Sequence, residues 1–310
     1  MRKLIAAILL LGAMLFLPLL AMAETAVTSF YPIYVFAANL TDGIEGIELY
    51  NLAAPGTGCL HDYQLQTGDM KTLAGADVFL VNGAGMESYL AHVYEAFPNL
   101  PVVVASEGIP LLDEENQLLE GDHSHDDHDD HDHDHGEVNA HVWLDVKNAQ
   151  AMVTNLCEGL CQAWPRHREA LEANRDRYLA QLQQLDDDLH AGLDNLPKKD
   201  IITFHEAFPY FANAYGLNVV GVVNREPGDA LSPAQLSRLV KTVVDLGAPP
   251  LFTEPQYADM AARTISQETG APIYQLDPVV TGPEGAADAK GQYETAMREN
   301  MAVLQQALGQ

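Results

Sequence analysis

Six of the twelve histidines in this 310-residue chain lie close together and alternate with aspartates. Imidazole nitrogens mixed with carboxylate oxygens suit borderline divalent ions, and they favour zinc, copper or nickel over magnesium, calcium or manganese. The segment 121–136 that contains them has no hydrophobic residue, so we expect a disordered loop. Because flexible ligands lose entropy when they bind, this loop should hold several ions weakly. Its histidines are His123, His125, His128, His131, His133 and His135.

A second set of potential metal ligands is spread along the chain. His61 follows a turn-rich stretch, His141 opens an apolar, strand-like segment, and His205 and Asp277 each end a predicted strand. Ligands of open α/β sheets bind at the carboxyl ends of the strands. Three imidazoles and one carboxylate would fill a tetrahedral zinc shell. Spacing alone does not join residues so far apart, and each could instead be a hydrogen-bonding or turn residue.

Short apolar runs alternate with amphipathic ones, which predicts strands alternating with helices. The strands at 77–81 and 101–104 are almost wholly apolar, as expected for a sheet covered by helices on both faces. We therefore predict an α/β fold with two lobes of mostly parallel sheet flanked by helices. The predicted strands are 26–30, 47–52, 77–81, 101–104, 200–204, 218–222, 250–253 and 272–276.

One long helix, from Pro165 to about Leu193, separates the two sets of strands, and only Gly192 interrupts it near its end. We expect an N-terminal lobe at 24–164, a rigid linking helix at 165–196 and a C-terminal lobe at 197–310. The other helices are predicted at 34–40, from 67, at 146–163, at 207–215, from 232, at 259–269 and at 292–308.

The beginning of the chain predicts export. Arg2 and Lys3 precede an apolar run at 4–20, and Ala21-Met22-Ala23 offers small residues where a signal peptidase reads them. We expect residues 1–23 to be a signal peptide cleaved after Ala23; the alternative is an uncleaved anchor, because the run is nearly long enough to span a bilayer. No later stretch is apolar enough to span one. The mature protein is therefore expected in the periplasm, without membrane insertion.

The charge of the chain excludes some partners. Its formal charge is −28, from 16 basic and 44 acidic residues. This argues against nucleic acid, whose phosphates require clustered Lys and Arg, and against docking on anionic lipid. It is compatible with a cationic cargo.

Three cysteines leave one question open. Cys157 and Cys161 lie four residues apart on a predicted helix, near the outer limit for a disulfide. A bridge between them would leave Cys59 over.

A zinc hydrolase is the main enzymatic alternative. His205-Glu206 is similar to the start of the HExxH motif, but Pro209 stands where the second histidine would be. Catalytic zinc also needs an open coordination position and a base, a role that Glu206 could fill. We expect a binding protein and not an enzyme.

Five motifs resemble those of the metal-binding receptors of ABC importers, and the resemblance covers nearly all of residues 26–308. The acidic, His-rich loop is similar to that of the zinc branch of the family, the ZnuA type. The matching segments are Ala54-Pro55-Gly56 with His61-Asp62-Tyr63 and Asn82 to Glu87, His141 to Asp145, His205 to Phe208, Glu254-Pro255-Gln256, and Leu276-Asp277-Pro278.

The resemblance implies a Zn²⁺ site in the cleft between the lobes, with His61, His141, His205 and Asp277 as ligands. A histidine at 205, where manganese receptors carry a carboxylate, again favours zinc. Leu60 stands where some zinc receptors have an acidic residue, so Asp277 or a water takes the fourth position, and a Cys59 thiolate is a further alternative.

The resemblance also implies partners. A monomeric receptor would deliver the metal to the transmembrane subunit of an ABC permease with a cytoplasmic ATPase. The alternatives are a periplasmic zinc buffer or chaperone without a permease, and a receptor for Mn²⁺.

Overall fold

The computed structural model describes residues 23–54, 56–58, 60, 63–113, 138–223, 232–257 and 260–309. His61, Cys59, the His-rich loop 121–136 and residues 1–22 of the predicted signal peptide lie outside these ranges.

Two four-stranded sheets form the framework. The first contains β1 (Glu24–Thr28), β2 (Ile47–Asn51), β3 (Val78–Val81) and β4 (Val102–Val104), in the order β2-β1-β3-β4. The second contains β5 (Asp200–Thr203), β6 (Asn218–Val222), β7 (Leu251–Thr253) and β8 (Ile273–Gln275), in the corresponding order β6-β5-β7-β8. All neighbouring strands are parallel, so the predicted α/β class is confirmed. In each sheet the carboxyl ends of the strands meet at one edge.

The helices of the first half are α1 (Tyr31–Leu40), α2 (Thr67–Ala74), α3 (Leu90–Ala96) and α4 (Val146–Ala163). Helix α1 begins three residues before its predicted start, because Pro32 lies in its first turn, where the fixed φ of proline suits a helix. Gln66 caps α2, and its backbone N–H donates to the Asp69 carboxylate at 2.7 Å. Helix α3 was not predicted.

The segment Val142–Leu144 was predicted to be strand-like and instead forms one 3₁₀ turn. All three residues are buried, and Asp145 follows as the N-cap of α4, accepting a hydrogen bond from the Lys147 N–H at 2.8 Å. The apolar run has only three residues because Asp145 starts a helix directly after it. These residues are buried as part of a turn and not as a strand of a sheet.

The linking helix has a distinct first turn. Pro165–His167 is a 3₁₀ turn, and α5 then runs from Arg168 to Leu193. Its 26 residues correspond to about 39 Å. Its buried face includes a set of apolar residues that recur at helical spacing, namely Leu171, Tyr178, Leu182, Leu185 and Leu189.

The second half contains α6 (Pro209–Tyr215), α7 (Pro233–Asp245), α8 (Met260–Thr269), α9 (Ala286–Ala289) and α10 (Gln292–Leu308). Helix α6 begins two residues after its predicted start, with Pro209 at its first position. Ser232 caps α7 together with Gln235, as its sequence predicts. None of the helices in the described ranges is apolar over a length that could cross a bilayer.

Gly192 lies where α5 packs against α10. A Cβ on Gly192 would overlap the side chain of Met301, and Gln305 Nε2 donates to the Gly192 carbonyl at 3.1 Å. The glycine therefore permits close packing of α5 against α10. Tyr293 of α10 also packs edge-on against Phe36 of α1, with ring centroids 5.3 Å apart. The last helix thus returns to the first half of the chain, and the lobe boundaries at 164 and 197 stay a prediction.

Cys157 and Cys161 are free thiols buried on one face of α4. Burial, together with the neighbouring Cys161, raises the pKa of the Cys157 thiol to about 12. Burial also raises the pKa of Cys161. Thiolate is the reactive form of cysteine, so both groups should resist oxidation even where disulfides are permitted.

We therefore expect neither thiol to react with N-ethylmaleimide in the folded protein. A pKa near 12 leaves roughly one Cys157 thiol in ten thousand ionised at pH 8. The measurement is mass spectrometry of a Cys59→Ser variant, labelled before and after unfolding in guanidinium. Two labels should appear only after unfolding. Labelling of the native protein, or a mass lower by two hydrogens, would contradict the assignment of two protected thiols.

Candidate metal centre

Two of the four predicted ligands meet at the carboxyl edges of the sheets. The rings of His141 and His205 have centroids 4.8 Å apart at an interplanar angle of 80°, and both residues are 2% exposed. His141 immediately precedes the 3₁₀ turn, and His205 lies two residues beyond β5. Each imidazole therefore comes from a different half of the fold.

Asn139 orients the His141 ring. Its Oδ1 accepts from the His141 backbone N–H at 3.0 Å and lies 3.1 Å from Nδ1 of the ring. Its Nδ2 donates to the Glu206 carbonyl at 2.8 Å. Because the amide nitrogen is used at Glu206, the amide oxygen faces His141, whose Nδ1 must then be the donor. The lone pair for a metal accordingly resides on Nε2.

Glu254 has the same relation to His205. Its Oε1 lies 3.2 Å from His205 Nδ1, and the carboxylate is 2% exposed. Its other oxygen accepts from Gln256 Nε2 at 2.5 Å. A carboxylate can only accept, so a hydrogen bond between these two groups requires His205 Nδ1 as the donor and would leave the lone pair on Nε2. Carboxylate or carbonyl partners of this kind are typical of zinc-bound histidine.

Asp277 lies two residues beyond β8 in a loop fixed by Asn300. The Asp277 N–H donates to Asn300 Oδ1 at 2.8 Å, and Asn300 Nδ2 donates to the Asp277 carbonyl at 2.7 Å. Burial raises the pKa of the Asp277 carboxyl, and the negative charges of Glu254 and Glu299 add to the rise against the Val279 N–H bond, which lowers it. A nearby divalent cation would relieve this cost of a charged carboxylate.

The described residues alone do not complete a metal shell. Within them, no group of three His, Cys, Asp or Glu side chains is arranged to hold a metal ion. The structure brings His141 and His205 together, and the metal-binding roles of all four residues, His61 and Asp277 included, stay predictions.

Trp143 connects the His141 segment with the Asp277 loop. Its indole N–H donates to the Pro278 carbonyl at 2.8 Å, and its own carbonyl accepts from the Tyr293 hydroxyl at 2.7 Å. The ring packs edge-on against Phe30, with centroids 5.2 Å apart. Two segments predicted to carry ligands are thereby held at a fixed separation.

Asn82 supports the same segment from β3. Its Nδ2 donates to the Ala140 carbonyl at 3.0 Å, next to His141. The buried Glu87 carboxylate accepts from the backbone N–H groups of Asn82 and Gly83 at 2.8 and 3.0 Å. Gly83 has φ +80°, and a Cβ there would overlap Val104 and Ser106. The motif at 82–87 is thus a scaffold for the site.

Sequence reasoning missed the residues that orient the imidazoles. Glu254 directly follows β7, so the strand-end rule that identified His205 and Asp277 could have identified it too. Asn139 follows no strand, and its role depends on contacts that no local pattern signals.

The chain matches a known protein family. Residues 26–307 match the family described as ZnuA, zinc-uptake complex component A, periplasmic. A curated relative, the zinc-binding protein AdcA of Streptococcus pyogenes serotype M3, is 29% identical over 285 residues, which is 90% of this chain and 55% of the relative. The chain therefore spans about half the length of the AdcA relatives it matches.

A second curated relative and a solved structure are also similar to this chain. The manganese-binding lipoprotein MntA of Halalkalibacterium halodurans is 30% identical over 215 residues, covering 69% of this chain and 66% of the relative. The Zn(II)-bound ZnuA-like domain of Streptococcus pneumoniae AdcA aligns with a TM-score of 0.75 and 25% identity, over 93% of this chain and 99% of that one. Because the family match extends over almost all of the described structure, the chain belongs to the ZnuA family of zinc-uptake components.

Proposed function

We propose that this protein is an extracytoplasmic receptor that captures Zn²⁺ and delivers it to the transmembrane subunit of an ABC permease, whose cytoplasmic ATPase drives import. The observation that carries the proposal is the buried pair His141 and His205, each with Nδ1 within 3.2 Å of an oxygen atom, an arrangement in which Nε2 would be the ligating nitrogen. The zinc-binding names of the AdcA relatives support the choice of cargo. The mature protein would be a periplasmic monomer without enzymatic activity, released by cleavage after Ala23.

The proposed shell is His61, His141 and His205, with Asp277 or a water in the fourth position. Zinc–nitrogen bonds of about 2.0–2.1 Å are expected. The raised pKa of Asp277, caused first by burial, supports its carboxylate as a group that gains from a cation.

The test of function is zinc uptake into proteoliposomes. The vesicles would contain an ABC permease and ATPase for zinc from the same organism, with radioactive zinc outside. Uptake should require both ATP and the receptor and should saturate with receptor concentration. Uptake that is indifferent to the receptor would favour the buffer or chaperone alternative. Ester and peptide hydrolysis by the zinc-loaded protein should not exceed that of free zinc when Asp277 is the fourth ligand, since the shell then has no open position for a reacting water.

A manganese receptor is the second candidate, because one relative is named for manganese. The donor set speaks against it: imidazoles at His141 and His205 favour zinc, whereas manganese prefers oxygen ligands. Competition calorimetry with both ions should show zinc displacing manganese at equal concentration. Displacement of zinc by manganese would reverse the assignment.

The His-rich loop is proposed to be a separate, weak capture site. Deleting residues 121–136 should lower the number of zinc ions bound while leaving the affinity of the tight site unchanged, because the loop's ligands must be ordered on binding. Calorimetric titration gives both quantities. A matched control keeps the loop's length and aspartates and replaces its six histidines with serine; it should lose the same ions if imidazole is the ligand. Loss of the tight site on deletion would show that loop and cleft form one site.

A further inference from the structure

Glu254 stands out among the buried carboxylates because of what surrounds it. It lies at the carboxyl end of β7, is 2% exposed, and has no lysine or arginine partner among the described residues. Its contacts are His205 Nδ1 at 3.2 Å and the side-chain amide of Gln256. Burying a carboxylate without a compensating cation is costly. The arrangement is therefore incomplete without positive charge on the other side of the His205 ring.

The contact with His205 is close without being aligned as a strict hydrogen bond. Contacts in unliganded sites are often poorly aligned and tighten on binding. A metal ion on Nε2 draws electron density from the ring and makes its Nδ1–H a stronger donor. A small rotation of the imidazole would then align this group with Glu254, so that metal binding and the hydrogen bond reinforce each other.

The residues after Glu254 contact the first half of the chain. Tyr257 stacks edge-on with the His205 ring at a centroid distance of 6.1 Å. Gly58, in the loop that precedes His61, has φ +83°, and a Cβ on it would lie 3.3 Å from the Tyr257 hydroxyl and 3.9 Å from Gln256 Cγ. The segment Glu254–Tyr257 thus contacts both His205, a proposed metal ligand, and the loop around Gly58 in the first half of the chain.

We infer that Glu254 is a positioning residue for the metal. Its carboxylate fixes the His205 tautomer and compensates part of the positive charge of the bound cation. It also couples His205 to the contact of Gln256 and Tyr257 with Gly58. The inference rests on the proposed function, since it assigns a role around the same site. Outer carboxylate partners of metal-bound histidine typically contribute 10- to 100-fold to affinity. The Nδ1 of His141 lies beside the neutral amide of Asn139, so the oxygen atoms next to the Nδ1 atoms of the two imidazoles differ in charge.

The test compares Glu254→Gln and Glu254→Ala in the protein lacking residues 121–136. The glutamine variant keeps an acceptor and removes the charge, whereas the alanine variant removes both. Zinc affinity, measured against a chromophoric chelator, should fall by about 10-fold in the first and by up to about 100-fold in the second, with stoichiometry unchanged at the tight site. Zinc release should be faster in both.

A second readout separates positioning from a structural effect. In histidine-¹⁵N-labelled protein, the His205 signals should show the Nδ1–H tautomer in the unaltered protein and in Glu254→Gln, and a mixture of tautomers in Glu254→Ala. The control is Asp186→Asn, which neutralises another buried carboxylate that accepts from the Tyr215 hydroxyl on α6. That variant should change thermal stability while zinc affinity stays within about twofold.

Three results would overturn the inference. They are zinc affinities of both Glu254 variants within twofold of the unaltered protein, an unchanged His205 tautomer in Glu254→Ala, and a zinc–oxygen bond to Glu254 in a zinc-bound structure, which would make it a ligand. Failure of the proposed function looks different, because the unaltered loop-deleted protein would then bind no zinc tightly.

Discussion

Replacing His205 with alanine is expected to weaken zinc binding at the tight site by about a hundredfold. Four-ligand zinc sites bind with about 10–16 kcal/mol, so one of four ligands contributes roughly 3 kcal/mol, and 1.4 kcal/mol corresponds to a factor of ten in affinity. The measurement is competition with a chromophoric chelator in the protein lacking residues 121–136, so that the loop's histidines do not bind in its place.

The control for this experiment removes an imidazole elsewhere. His92 is exposed on α3, and its replacement with alanine should leave zinc affinity unchanged. His205→Ala also leaves Glu254 facing a cavity, so the metal-free variant should unfold at lower temperature. A His205→Gln variant fills this space without a ring nitrogen and should also bind zinc weakly. Tight zinc binding by both variants would remove His205 from the shell.

Most of the framework could be predicted because its signals are local. The run Val78–Val81 is fully buried between helices, and a strand covered on both faces has to be apolar at every position. Four residues predict where α7 begins, since Ser232 and Gln235 cap each other's backbone groups. The apolar residues from Leu171 to Leu189 likewise recur at helical spacing, and they form the buried face of the linking helix.

The predictions that failed concern segments shaped by tertiary contacts. Val142–Leu144 is as apolar as a strand, but Asp145 caps a helix immediately after it and leaves room only for a turn. The site shows the same limit. His141 and His205 were candidates by residue type, and their meeting depends on how the sheets are joined. The role of the Asn139 amide is evident only from its contacts with His141 and Glu206 in the folded protein.

Trp143 should contribute more to stability than its apolar ring alone explains. Trp143→Phe retains an aromatic ring against Phe30 and removes the N–H that donates to the Pro278 carbonyl. Pro278 is buried, so its carbonyl would be left without this donor, at a cost of about 1–3 kcal/mol. Trp143→Ala also loses the packing of a fully buried ring, for a total of about 3–5 kcal/mol. Denaturant unfolding of the metal-free protein gives both values.

The second tryptophan of the chain provides the matched control. Trp164 is 3% exposed, and its indole N–H has no hydrogen-bond acceptor among the described residues. Trp164→Phe therefore removes a similar ring area without breaking a hydrogen bond, and it should cost less than Trp143→Phe. Zinc affinity should also fall only in the Trp143 variants, because that bond holds the Asp277 loop against the His141 segment. Equal losses of stability in the two phenylalanine variants, with zinc affinity unchanged in both, would show that the bond to Pro278 neither stabilises the fold nor positions the site.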